Sequence, residues 1–186
     1  MTRKMWLVGL LVLPTVVGAE GFDYTYLEAG YVRTQIDAGA FDVDGDGLGV
    51  RGSYGFGEDF YGFIGLADQE FDFNIDGTQF NFGLGWHQTL NASADLLAEV
   101  SYVSVDLNAP FAGADEDGFG LGIGIRTRAL ENIELEAGLD YINLDSSETS
   151  VSFDGRYYLT EKLAVGGGLS FSDDSTGWNL GLRAEF

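Results

Sequence analysis

Trp178-Asn179-Leu180-Gly181-Leu182-Arg183-Ala184-Glu185-Phe186 closes the chain, and its parity decides how the rest is read. Trp178, Leu180, Leu182, Ala184 and Phe186 fall on one parity, and Asn179, Gly181, Arg183 and Glu185 on the other. A period of two is the signature of a β-strand with one apolar face and one polar face. The polar face here carries a cation and an anion, which a soluble sheet would turn to water and a membrane barrel would turn inward.

The same alternation recurs upstream. Phe119, Leu121, Ile123 and Ile125 alternate with Gly120, Gly122, Gly124 and Arg126. Ile133, Leu135, Ala137, Leu139 and Tyr141 alternate with Glu134, Glu136, Gly138 and Asp140, and Phe80, Phe82, Leu84 and Trp86 with Asn81, Gly83, Gly85 and His87. Extending the pattern predicts ten strands, near 24–36, 47–56, 60–72, 78–89, 95–107, 117–128, 132–144, 149–159, 163–171 and 176–186. Parity is ambiguous near 60–72 and 163–171, where glycines and aromatics occupy both faces. Compact turns (57–59, 91–94, 130–132, 160–162) alternate with stretches rich in Asp, Gly, Ser and Asn (37–46, 73–77, 108–116, 145–148, 172–175). Short turns on one rim and polar loops on the other are the plan of an up-and-down antiparallel transmembrane β-barrel, with both termini on the periplasmic side.

Composition agrees. The 186 residues suit one domain, and no cysteine is present to make a disulfide or a thiolate metal site. The net charge is -21, but 14 Phe, 9 Tyr and 3 Trp distinguish the chain from an acidic disordered one. Nucleic acid is excluded as a partner, because phosphate binding needs clustered Lys and Arg. Residues 1–19 read as a secretory signal peptide: Arg3 and Lys4, an apolar core from Met5 to Leu13, Pro14, and the small-residue cleavage site Val17-Gly18-Ala19. The mature chain is expected to span 20–186 as one barrel, and loss of Arg3 and Lys4 takes its charge from -21 to -23.

A soluble β-sandwich also alternates. Strand length, aromatics and charge placement favour the barrel. About 11 residues at ~3.4 Å each, tilted by about 45°, rise roughly 26 Å, against an apolar band of about 25 Å. Trp86, Tyr102, Tyr141, Tyr157, Trp178 and Phe186 stand on the apolar face, as interface girdles require. Arg51, Arg126, Arg128, Arg156 and Arg183 all lie opposite the large apolar residues, and an arginine facing lipid costs about 2–4 kcal/mol at the midplane. They are therefore expected in the lumen with Glu28, Glu99, Glu134, Glu136, Asp140, Asp154 and Glu185, forming an ionic network. Lumen glycines such as Gly85 and Gly122 either let strands curve closely or leave room for water.

With these features the chain resembles the small outer-membrane β-barrels of Gram-negative bacteria, of the OmpX and OmpA-domain type. Tyr24-Thr25-Tyr26-Leu27-Glu28-Ala29-Gly30-Tyr31 looks most like the short barrel proteins of xanthomonads. That family includes barrels of eight strands, so the count of ten comes from the pattern alone. The resemblance implies that Trp178, Leu180, Leu182 and Phe186 act as the assembly signal read by the barrel-assembly machinery. It implies residence in the outer membrane among lipid and lipopolysaccharide, here as a monomer. It transfers no catalytic motif.

Outer-membrane proteases and lipid-modifying enzymes would call for a histidine near the outer rim. His87, the single histidine, lies toward the opposite turn on the lumen face and reads as a hydrogen-bonding group. Asp42-Val43-Asp44-Gly45-Asp46-Gly47 resembles the start of a calcium loop, but Ser53 stands where the closing Glu belongs. Weak Ca²⁺ or Mg²⁺ binding is expected at the acidic outer loops, with Asp42, Asp44 and Asp46 as candidate ligands. The function expected is that of a non-enzymatic barrel with a charge-plugged lumen, acting in envelope integrity or surface interaction. The alternative is a narrow pore for small solutes, with Arg51, Arg126, Arg128 and Arg156 facing Glu134, Glu136 and Asp140. An outer-membrane enzyme ranks last.

Overall fold

The computed structural model describes residues 21–39, 41–110 and 112–186. The expected leader, residues 1–19, and the start at Glu20 lie outside them. The strands are β1 (Tyr26–Asp37), β2 (Asp42–Phe56), β3 (Phe60–Phe71), β4 (Ile75–Asn91), β5 (Ala94–Ala109), β6 (Ala112–Leu130), β7 (Ile133–Asn143), β8 (Ser147–Thr160), β9 (Leu163–Ser172) and β10 (Ser175–Glu185). Each pairs antiparallel with its sequence neighbours. β1 also pairs with β10, in register from Tyr26↔Glu185 to Ile36↔Ser175, so the sheet closes into a barrel. Closure leaves no unpaired edge.

The strands fall where the alternation predicts them, but several are longer. β2 begins at Asp42 rather than near 47, and β6 begins at Ala112 rather than near 117. Two stretches expected as loops, 37–46 and 108–116, are thus mostly strand. Their Asp and Gly content reads as turn chemistry, yet Val43 keeps the inward parity and the ladder runs on to Asp37↔Asp42 and Ala109↔Ala112. β2, β4, β5 and β6 have 15 to 19 residues, and β7, β9 and β10 have 10 or 11. About 9–11 residues cross a membrane. The wall is therefore taller on the β2–β6 side, at the rim away from the termini, termed the distal rim below.

The faces settle the ambiguous parities. In β3, Tyr61, Phe63, Gln69 and Phe71 are buried inside, while Phe60, Ile64 and Leu66 are exposed outside. In β9, Ala164 and Gly168 face inward, and Leu163, Leu169 and Phe171 outward. The outer face is apolar all round, including Leu121, Ile123, Leu180 and Leu182. Exposed apolar surface on this scale is untenable in water and is what a bilayer requires. Aromatics edge this band in neighbouring pairs: Tyr31 with Trp178 (ring centroids 5.4 Å apart), Phe82 with Tyr102 (5.4 Å), Phe119 with Tyr141 (6.2 Å) and Phe56 with Phe60 (6.3 Å).

Candidate functional site

The lumen is the candidate site, and its contents change from one mouth to the other. At the terminal rim, Tyr24 and Thr25 continue β1 between β2 and β10, with Tyr24 buried on the inner face. The Tyr24 hydroxyl donates to Asp95 Oδ2 (2.8 Å) on β5, and its ring stacks on His87 (centroids 3.9 Å) and Tyr61 (4.8 Å). Tyr24, Tyr61, Phe63 and Leu97 form one buried cluster, with Phe22 packed against it. The Arg126 guanidinium lies 4.7 Å from the centre of the Phe22 ring. Arg128 lies 5.7 Å from the same ring.

Above and beside this layer lies the ionic network. Glu134 and Arg126 are both fully buried. Glu134 Oε1 accepts from Arg126 Nε (3.0 Å) and from Arg156 Nη1 (2.7 Å), and Arg156 Nη1 stands 3.7 Å from Glu136 Oε2. Arg183 pairs with Glu28, its direct partner across the β1–β10 seam. Arg51 also lies opposite Glu28 in register, but reaches across the lumen to Glu99 (2.7 Å), and its Nε donates to the Tyr26 hydroxyl (3.0 Å). Tyr61 donates to the same Glu99 (2.9 Å), Tyr158 to Glu185 (2.7 Å), and Ser152 to Asp140 (3.1 Å). Asp154 is buried beside them, opposite Glu136. Every residue expected in the network faces inward. Arg51 reaches from β2 past two strands to β5, while Arg183 and Arg156 pair with their direct partners on the adjacent strands.

Toward the distal rim the charges give way to Thr34, Gln69, Gln79, Asn81 and Ser101, all buried, with Gln69 Nε2 donating to Thr34 Oγ1 (3.1 Å). Beyond them Ile36, Val43, Phe71, Val103 and Val105 form a buried apolar cluster, flanked by Ala38, Ile75, Leu107 and Leu144. These residues come from β1, β2, β3, β4 and β5 and from the β7–β8 turn. Inward glycines make the room: a Cβ at Gly45 would overlap the Phe71 ring, and one at Gly85 the Tyr61 ring. The space left beside Glu99, Glu136, Asp140, Gly122, Gly124 and Gly138 is ≈ 10 Å³, about one water.

Sequence reasoning missed both apolar clusters: it assigned no lumen role to Tyr24, Tyr61, Asp95, Ile36, Val43, Phe71, Val103 or Val105. Strict parity carries the signal for several: Asp95, Val103 and Val105 share it with Glu99, and Ile36 with Glu28. The candidate calcium ligands Asp42, Asp44 and Asp46, expected in a loop, stand on β2. They lie on one face of an extended strand, where alternate residues stand about 6–7 Å apart and diverge rather than curl around an ion. Asp44 is engaged by Arg33 (3.0 Å) and Asp42 by Gln35 (3.3 Å). Among the described residues no three His, Asp or Glu side chains are arranged to hold a metal ion. His87 lies at the terminal rim, with Nδ1 3.5 Å from Asp95 Oδ2.

No protein-family model matches the sequence, and neither does any curated protein. Solved structures do match. The KdgM porin, in complex with disordered oligogalacturonate, superimposes with a TM-score of 0.50 at 12% identity, covering 87% of this chain and 99% of that one. The translocator domain of the autotransporter NalP from Neisseria meningitidis superimposes at 0.51 and 8% identity, covering 88% and 89%. The fold is that of a small outer-membrane β-barrel. In this barrel, the apolar surface is the outer face and the buried arginines are on the inner one, as the strand parity requires.

Proposed function

We propose that this outer-membrane barrel is non-enzymatic, that its lumen is closed, and that it acts through its distal rim, in envelope integrity or surface interaction. The buried apolar cluster of Ile36, Val43, Phe71, Val103 and Val105 carries this reading, because it stands inside the wall toward the distal rim, as the cluster of Tyr24, Tyr61, Phe63 and Leu97 with Phe22 does toward the other. A conducting path would need water beside the arginines, and Arg51, Arg126 and Arg156 are buried and paired with Glu99 and Glu134 instead. The pore alternative loses its constriction for the same reason.

The termini and the compact turns face the periplasm, and the taller acidic rim faces outward, which is the usual asymmetry of such barrels. The apolar face contacts lipid, and the Trp178…Phe186 strand, which closes the barrel against β1, is the segment the assembly machinery reads. Asp46, Glu70 and Asp76 face one another across β2, β3 and β4, as Asp106 and Asp115 do across β5 and β6. Like charges directly opposite are destabilising, so Mg²⁺ or Ca²⁺ acts there as a shared counter-ion toward lipopolysaccharide rather than in a fixed site. Planar-bilayer recording of the purified monomer tests the closed lumen. Discrete openings are expected to be absent; steady openings whose size changes in Glu99→Gln would overturn the reading.

A further inference from the structure

We propose that Phe41 and Phe73, with the carboxylates that border them, form a docking point on the distal rim for an arginine side chain of a cationic polypeptide. This rests on the surface-interaction reading above and names the chemistry of the partner.

Phe41 is 54% exposed and Phe73 67%. They come from different hairpins, the β1–β2 and β3–β4 turns, yet their rings meet edge to face with centroids 5.7 Å apart. Backbone contacts hold the two hairpins together: Asp72 N–H donates to Asp44 O (2.9 Å), and Asp44 N–H to Asp72 Oδ2 (3.2 Å). Ala38 N–H closes its own turn onto Phe41 O (3.0 Å). The pair is thus preorganised, which lowers the ordering cost of binding.

Phe73 serves the fold badly where it is. Its φ is 65° and that of Asn74 is 58°. A left-handed backbone disfavours a bulky side chain, and glycine would adopt it freely. The ring gains no burial in return. The tight β3–β4 hairpin requires the positive φ at both positions, and the phenylalanine there stays exposed.

Charge identifies the occupant. Asp42 follows Phe41 and Asp72 precedes Phe73 in the sequence, and Asp37, Asp44 and Asp76 belong to the same two hairpins. The nearest cation in these strands, Arg33, is paired with Asp44. An anionic headgroup would need a bridging divalent cation here, and a cationic side chain needs none. A guanidinium is suited on both counts, because it lies flat on an aromatic face and pairs with carboxylates through two parallel hydrogen bonds. An ammonium offers only the point charge.

The test uses the full barrel in phosphatidylcholine nanodiscs, titrated calorimetrically with hexa-arginine and hexa-lysine amides. Hexa-arginine is expected to bind about fivefold more tightly than hexa-lysine, and Phe41→Ala/Phe73→Ala is expected to abolish that preference. Phe73→Gly is expected to weaken hexa-arginine binding while its thermal midpoint stays at or above that of the wild type, because the strain is relieved. Equal binding of the two peptides, an unchanged preference in the double variant, or early unfolding of Phe73→Gly would overturn the proposal. Bilayer conductance measured on the same samples keeps the two readings apart. A conducting barrel that still prefers hexa-arginine removes only the closed lumen, and a silent barrel without the preference removes only the docking point.

Discussion

Replacing Glu134 with Ala is expected to destabilise the barrel by about 3–5 kcal/mol, the largest effect of any single change in the lumen. Glu134 Oε1 is shared by Arg126 and Arg156, and all three side chains are shut away from water. The variant leaves two guanidiniums short of their anion where solvent cannot replace it. Glu136, 3.7 Å from Arg156, compensates in part for one of them. Urea titration of the barrel in liposomes, followed by tryptophan fluorescence, gives the free energy. Glu134→Gln, which keeps an acceptor at the same place, should fall between the two. A loss of less than about 1 kcal/mol in the alanine variant would mean that water reaches these arginines, because exposed ion pairs are worth about that much or less.

The second large effect lies on the other face. Ile123 is 59% exposed, with Ala98 and Leu139 as its cross-strand partners and Leu121 and Ile125 on the same face of β6. Ile123→Arg is expected to cost about 2–4 kcal/mol, the penalty for a cation on the lipid side near the bilayer midplane. The same arginine at Asp117, outward on β6 but toward the distal rim, should cost little, because that position lies beyond the aromatic pair of Phe119 and Tyr141. The contrast between the two positions matters more than either value. Equal tolerance at both would place the outer face in water.

Much of this was legible from parity. Five arginines opposite Leu, Ile and Trp fix the direction of every strand that carries them, because a one-residue slip would put each in lipid. That is why the lumen set from Glu28 to Glu185 is found inside. The partners were not legible. Arg51 stands opposite Glu28 but bonds Glu99, a choice made by the curvature that brings β2 and β5 together across the lumen. The distal strand ends were misread for a different reason. Asp-Val-Asp-Gly-Asp-Gly has turn composition, and only the pairing of β2 with both neighbours makes it a strand. The apolar cap escaped because Ile36, Val43 and Phe71 look like ordinary strand residues until the inward parity is carried to the tips. Phe22 precedes the expected first strand, so no periodicity reports where it lies, whereas Tyr24 continues the inward parity of Tyr26 and Glu28.

The absence of cysteine makes the closed lumen directly measurable. Single cysteines at Ser101 and Ser152, both buried in the lumen, can be exposed in liposomes to a small charged thiol reagent, with Thr176→Cys on the exposed outer wall near the distal rim as the accessible control. The two lumen thiols are expected to remain unlabelled while the control reacts fully; labelling of Ser101→Cys or Ser152→Cys at the rate of the control would show an open aqueous path and contradict the account.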